Sequence, residues 1–201
     1  MTGSLAAEPI SPTRRVALKD GTRVTLRPIR SQDEAGLIAL HARLGPETAY
    51  QRFFAALPRL PDDWAHFLAN VDYERRMAIV AVHPGDELIA VARYDHDEAA
   101  NEAEIAIVVQ DRWQGRGLGT ILMTELLGYA ESRGIRRYRA YVLADNLRML
   151  DLLLRVTRVL ERRTERGVTS LLLAPRAPSH DAEEGAQDPK SQPDEDRAAH
   201  V

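Results

Sequence analysis

The 201-residue chain has no cysteine, which excludes disulfide bonds, thiolate metal ligands and a cysteine nucleophile. Lysine is nearly absent: Lys19 and Lys190 are the only two among 27 basic residues, a bias read as genomic composition and not as chemistry. Aromatic residues make up 5% and phenylalanines number three, so the adjacent pair Phe53-Phe54 stands out. No apolar run approaches the ~20 residues that a membrane-crossing helix needs. The N-terminus also lacks a basic-then-apolar leader, so a cytoplasmic chain without a membrane partner is expected. Six histidines are scattered without metal-ligand spacing, and no metal is expected.

Net charge is small, at −3, and it is uneven. From Pro175 to Val201 seven acidic residues face three basic ones, a charge of −4 in a chain whose total is −3. The remaining body is close to neutral and gives no electrostatic reason to expect nucleic acid. Three segments follow: a disordered leader over residues 1–13, one domain over 14–174, and an acidic disordered tail over 175–201. No internal repeat is present.

Within the domain, Val16, Leu18, an Asp20-Gly21 turn, Val24 and Leu26 spell a hairpin closed by Pro28. Ser31 with Glu34 three residues on is a capping-box pattern, opening a helix whose apolar side is Leu37, Ile38, Leu40, Ala42 and Leu44. Gly45-Pro46 stops it. Short helices are expected over 47–56 and 62–70, with Phe53 and Phe54 as core anchors. Strands follow at 77–82, 88–94 and 103–109, a helix from Leu118 to Arg133-Gly134, and a strand at 136–143. A helix opened by Asn146 and a hairpin over 159–173 complete the domain. This order predicts an α/β (α+β) domain with a mixed central sheet of about six to seven strands and helices on both faces.

The most informative stretch is Val109-Gln110-Asp111-Arg112-Trp113-Gln114-Gly115-Arg116-Gly117-Leu118-Gly119-Thr120. An apolar strand enters it, and an amphipathic helix with Leu118, Ile121, Leu122, Leu126 and Leu127 leaves it. Glycines at a helix start expose unpaired N–H groups at the positive end of the peptide dipole, a place for phosphate. Thr120 occupies the last glycine position of a dinucleotide fingerprint and no lysine is near, so neither that motif nor a P-loop fits.

Gln-Gly-x-Gly-x-Gly between strand and helix, with Asn146 opening a later helix, resembles the pyrophosphate loop of the GCN5-related N-acetyltransferases (GNAT superfamily). The resemblance runs from about Thr22 to Leu173. Tyr50-Gln51-Arg52-Phe53-Phe54 and Val71-Asp72-Tyr73 resemble segments of the bacterial protein lysine acetyltransferases that modify acyl-CoA synthetases. The resemblance implies the GNAT fold and acetyl-CoA as co-substrate. It places coenzyme contacts at Val109, Gln114, Gly115, Arg116, Gly117, Leu118, Gly119, Thr120 and Asn146, although Asn146 also reads as a plain helix cap.

Glu104 lies on the otherwise apolar strand, where a charge must face a cleft or be paired. It is either the base that deprotonates the amine, as the resemblance implies, or the salt-bridge partner of an arginine such as Arg93. The general acid departs from the family pattern: Leu153 stands where many members have tyrosine, and Thr157-Arg158 where they have Gly-Phe. Tyr141, on the neighbouring strand, is the other hydroxyl to consider. The implied reaction is acetyl transfer to a protein lysine; a small-molecule amine acceptor and a catalytically weak acetyl-CoA sensor stay open, as does a homodimer.

Overall fold

A computed structural model describes residues 13–176, so nearly all of the expected leader and acidic tail lies outside the described residues. β1 (Arg14–Ala17) and β2 (Arg23–Pro28) form the first hairpin. Gly21 turns it at φ +81°, and the Asp20 carboxylate accepts the Thr22 N–H at 3.0 Å. Three helices follow: α1 (Glu34–Ala42), α2 (Pro46–Phe53) and α3 (Asp62–Ala69). The chain then runs β3 (Arg76–His83), β4 (Glu87–Asp97), β5 (Glu102–Val109), α4 (Leu118–Ser132), β6 (Tyr138–Leu143), α5 (Leu147–Val156), β7 (Thr157–Glu165) and β8 (Val168–Pro175).

The strands make one eight-stranded sheet in the order β1-β2-β3-β4-β5-β6-β8-β7. The count exceeds the six to seven expected because the outer strand of each predicted hairpin joins the same sheet. β1 has only four residues, and β7 is polar with almost no buried face, yet each pairs along its length. The unbroken apolar run of β3 is what a strand covered on both faces requires. Ala78, Val80 and Val82 pack with Leu37 and Leu40 of α1 and Ala65 and Ala69 of α3. Met77 and Ile79 turn the other way, toward Leu122 and Leu126 of α4 and Leu150 and Leu153 of α5. Among the described residues no helix is long and apolar enough to cross a membrane.

Two acids hold the helical layer in place. Ser31–Asp33 is a 3-10 turn, and the reciprocal cap comes from Asp33, not Glu34. The Asp33 carboxylate accepts the Arg30 N–H and both Arg27 guanidinium nitrogens, each at 2.7 Å. Glu34, expected to close the capping box, instead clasps α3 through His66 Nδ1 at 2.8 Å and Asn70 Nδ2 at 2.9 Å. α2 begins at Gly45-Pro46, and its N-cap Gly45 has no side chain to accept its first N–H groups. Asp111, 66 residues away, anchors that end of the helix from outside: Oδ2 takes the N–H of Gly45 itself at 2.8 Å and Oδ1 the Thr48 hydroxyl at 2.7 Å.

Burial alone would raise the Asp33 carboxyl, but hydrogen bonds from Arg27 and the Arg30 amide outweigh it and hold it below its ordinary value. A depressed carboxylate contributes stability that is present above its unfolded value near ~3.9 and lost as pH falls through the native one. Asp33→Asn should therefore lower the unfolding free energy at pH 7 by about 2 kcal/mol. In urea titrations its gap to the parent should close on acidification, and a gap constant from neutral pH into that range would refute this. Asp111→Ala should cost about 1–2 kcal/mol, as loss of hydrogen bonds to a charged group does, with faster amide exchange confined to the first turn of α2.

Candidate active site

The site begins where the sheet comes apart. β5 pairs with β4 over its whole length, from Ala90↔Val109 to Asp97↔Glu102, whereas parallel β5 and β6 share only Ala103↔Tyr138 and Glu104↔Arg139. Beyond that the strands diverge. The Gln110 N–H reaches Ile89 O at 2.9 Å, so by alternation residues 108, 106 and 104 turn their amides toward β4. Ile107 and Val109 turn theirs into the gap.

The end of the gap is formed by the glycine loop. Gly115 and Gly117 have φ of +75° and +86°, a region a side chain resists, and Gly117 caps α4 without an oxygen of its own. The first-turn N–H groups of α4 are thereby presented to an anion. A Cβ on Gly119 would stand 2.9 Å from Leu152 Cδ1, so glycine lets α4 approach α5.

A cleft of about 320 Å³ lies over this loop. Val109, Gln114, Gly115, Gly117, Gly119, Thr120 and Asn146 all line it. The Leu118 side chain is instead buried in the core, and the Arg116 side chain turns away, paired with Asp20 at 2.7 Å and stacked 5.0 Å over Trp113. Trp113 itself is a packing residue, its ring 4.8 Å from His83. Asn146 caps α5, its side chain accepting the Met149 N–H at 3.0 Å, while also facing the cleft.

Four cations line the same cleft: Lys19, Arg52, Arg148 and Arg155. Sequence reasoning singled out none of them as a candidate site residue. Lys19 arrives from the β1–β2 turn; its backbone N–H reaches Arg116 O at 3.1 Å, and its aliphatic carbons lie 3.4 Å from where a Gly117 Cβ would stand. Arg148 and Arg155 were detectable, being seven apart and so on one face of α5 with Asp151 and Leu152. Gln114 ties the walls together: Nε2 donates to Val109 O at 3.0 Å and Thr48 Oγ1 at 3.3 Å, while Oε1 accepts from Arg148.

A second cavity of about 520 Å³ adjoins the first, sharing Gln51, Arg52, Ile107, Asn146 and Met149 with it. Glu104 lines it from β5 and is exposed there. Among the described residues its carboxylate has no hydrogen bond or ion pair. The suspected partner is engaged elsewhere: Arg93 Nε meets Asp95 Oδ2 at 3.1 Å, and Asp95 also holds Arg76 at 2.9 Å. Burial, then the charge of Arg93, pushes the Arg52 guanidinium down to about 10, with Glu104 and Asp95 opposing; it stays protonated at neutral pH.

Tyr141 projects into this cavity, 48% exposed, whereas Leu153 is 1% exposed on its floor. Phe53 packs as a core anchor against His41, ring centroids 5.3 Å apart. Phe54 does not: it is the left-handed C-cap of α2 at φ +55°, 39% exposed, and forms the cavity rim with the half-exposed Trp64. Asp72 and Tyr73 are structural, Asp72 accepting the Glu74 and Arg76 amides and the Tyr73 hydroxyl donating to Ile29 O at 2.7 Å. The arrangement can hold an elongated polyanion in one chamber and take a proton in the next.

Residues 35–156 match the Acetyltransferase (GNAT) family. An acetyltransferase of Pseudomonas aeruginosa is 32% identical over 139 residues, which is 68% of this chain and 75% of that protein. The acetyltransferase Pat of Mycolicibacterium smegmatis is 32% identical over 136 residues, 67% of this chain but only 40% of Pat. The crystal structure of the GNAT domain of S. lividans PAT is similar with a TM-score of 0.74 at 32% identity, covering 87% of this chain and 99% of that one. With the family matched across the helical layer, the splayed strands and the glycine loop alike, the chain belongs to the acetyltransferase (GNAT) family and is an N-acetyltransferase.

Proposed function

We propose that the protein transfers acetyl from acetyl-CoA to the ε-amine of a protein lysine, by direct attack within a ternary complex. The observation that carries this reading is the Glu104 carboxylate, unpaired among the described residues, in a cavity that opens into the cation-lined cleft. Resemblance to the bacterial protein lysine acetyltransferases, and similarity to two proteins named Pat, support lysine as the acceptor and an acyl-CoA synthetase as its bearer. The exposed Phe54 and Trp64 at the rim suit contact with a protein surface. The reaction is proposed to take place in the cytoplasm.

In this reading the backbone from Gln114 to Thr120, including the amides of Arg116 and Leu118, wraps the pyrophosphate, and Lys19, Arg148 and Arg155 add charge. Val109 and Asn146 meet the pantetheine arm. An alkyl ammonium has a pKa near ~10.4, so Glu104 must take its proton, directly or through water, before the amine attacks the thioester carbon. The carbonyl oxygen gains charge as the N–C bond forms and returns it as the C–S bond breaks, while the nitrogen gives its second proton to water or to the departing thiolate, leaving a neutral amide and free CoA. A thiol of pKa about ~8.5 leaves without a dedicated acid, which accommodates leucine at position 153. That same leucine favours a second reading, a coenzyme sensor with weakened chemistry.

Glu104→Gln should lower kcat by about two to four orders of magnitude while calorimetry finds acetyl-CoA affinity unchanged. An unaltered rate removes Glu104 from the mechanism, and absence of turnover on every amine offered selects the sensor. Lys19→Ala should weaken acetyl-CoA binding about tenfold, most at low salt, and Arg116→Ala should do less because Asp20 already holds that side chain. Mass spectrometry should find acetyl-lysine on a folded protein acceptor at far higher kcat/KM than on free small amines; equal values would withdraw the protein acceptor.

A further inference from the structure

Of the four cations that line the cleft, Arg52 alone also lines the 520 Å³ cavity. The course of α2 puts it there. Asp111 anchors the start of that helix beside the glycine loop, and its last turn, which carries Arg52, ends at the cavity rim with Phe54. A cation suits this end, where the peptide dipole is negative. Among the described residues the Arg52 guanidinium has no hydrogen bond and no acid at ion-pair distance; it lies 5.2 Å from the centre of the Phe53 ring. Val108 lines the cleft with Arg52 and packs in the α1 and α3 cluster, so by alternation Glu104, four residues earlier on β5, faces the same side of the sheet. The cavity thus holds one unpaired carboxylate and one unpaired guanidinium.

Resting on the proposed transfer to lysine, we infer that Arg52 sets the charge state of the acceptor: its guanidinium disfavours the ammonium form in the cavity and leaves the amine uncharged for attack. A lysine that enters protonated brings a second positive charge beside the first, and like charges at close range favour loss of a proton. The ammonium is the one to yield, because a lysine amine shifts readily on burial whereas a delocalised guanidinium keeps its charge at neutral pH. Without Arg52 the ammonium and Glu104 would settle into an ion pair, a ground state that holds the proton on nitrogen. With it, that attraction is offset and Glu104 stays ionised until the acceptor arrives.

The other charged groups around the cavity are committed elsewhere. Asp95, across the ladder from Glu104, holds Arg93 and Arg76. Behind Arg52 lie Arg93 and His41, whose imidazole is pushed down by burial, and Tyr141 contributes a hydroxyl from β6. Lys19, Arg148 and the Asp151–Arg155 pair face the cleft. Arg52 itself exchanges no proton. The ammonium proton passes to Glu104 or water, the nitrogen bonds to the acetyl carbon, its second proton goes to water or to the departing thiolate, and the C–S bond breaks. Loss of a recognition contact raises KM, whereas loss of a repulsive charge lowers kcat and lets the ammonium bind at least as well.

The test follows kcat and KM of the full chain from about pH 6 to about pH 10, with saturating acetyl-CoA and one lysine-bearing protein acceptor. Arg52→Gln should move the acid limb of kcat up by about one pH unit and lower kcat at neutral pH by about tenfold, with the acceptor KM unchanged or lower. Arg52→Lys, which keeps the charge, should restore most of both. An acid limb that Arg52→Gln leaves in place overturns the inference and leaves the transfer reading standing, whether the variant instead raises the acceptor KM or weakens acetyl-CoA in calorimetry. If neither variant folds, the parent decides: its kcat limb must lie at least about one unit below the ~10.4 of a free lysine amine, and a limb at that value overturns the inference. Absence of turnover by the parent on every amine offered, with acetyl-CoA still bound, removes both.

Discussion

A backbone amide that leaves its ladder must find another partner, and β5 leaves β6 after only two pairs. Everything in the site follows from that separation. The amides of Ile107 and Val109 remain directed at a space where a strand would otherwise lie, and the sheet acquires a passage through its middle. One end of the gap has already been claimed internally, since Gln114 donates to Val109 O. A ligand with amide groups of its own can extend that pairing, which is how an open strand edge becomes a binding surface. The layers that keep the gap open are the ordinary core: α4 and α5 on one face, α1 and α3 on the other.

The arginines are divided between structure and site by the acids that hold them. Asp33 fixes Arg27, Asp20 fixes Arg116, Glu102 fixes Arg137 and Arg139, and Asp95 fixes Arg76 and Arg93. Lys19, Arg52 and Arg148, none of them held by an acid among the described residues, line the cleft. Arg155 reaches only Asp151, one turn back on the same exposed helix face, a pairing that a phosphate can displace at little cost. Abundant arginine and a nearly neutral body are thus compatible with a locally positive cleft.

Much of this was readable from one strand of text because it is local. The change from two-residue to helical periodicity at the glycine loop, the Asp20-Gly21 turn and the Asn146 cap are decided within a few residues, and each stands where the pattern put it. What escaped is non-local or ambiguous. Lys19 reaches the loop across almost a hundred residues of sequence, and Asp111 anchors the start of a helix 66 residues upstream. Ser31 and Glu34 fit the capping pattern, yet the chain enters its turn one residue earlier, at Arg30, so Asp33 takes the cap and Glu34 is free to reach α3. Phe54 reads as core until the end of α2 forces it into a left-handed turn that carries the ring outward.

The position of Glu104 illustrates how a carboxylate is kept unpaired in an arginine-rich protein. Asp95 lies directly across from it on β4, an arrangement of like charges that would be unfavourable in isolation. Asp95 is nonetheless the acid that engages Arg93 and Arg76, and it does so on the same strand as Arg93, two residues away. Arg93 is 5% exposed and also donates to Leu68 O, so it is anchored at both ends and does not turn to Glu104. Removing Asp95 from this picture would leave Arg93 nearly buried and seeking charge, with Glu104 the nearest acid across the ladder. The carboxylate is therefore unpaired because its neighbour Asp95 is taken up by the arginines, and it faces the cavity instead.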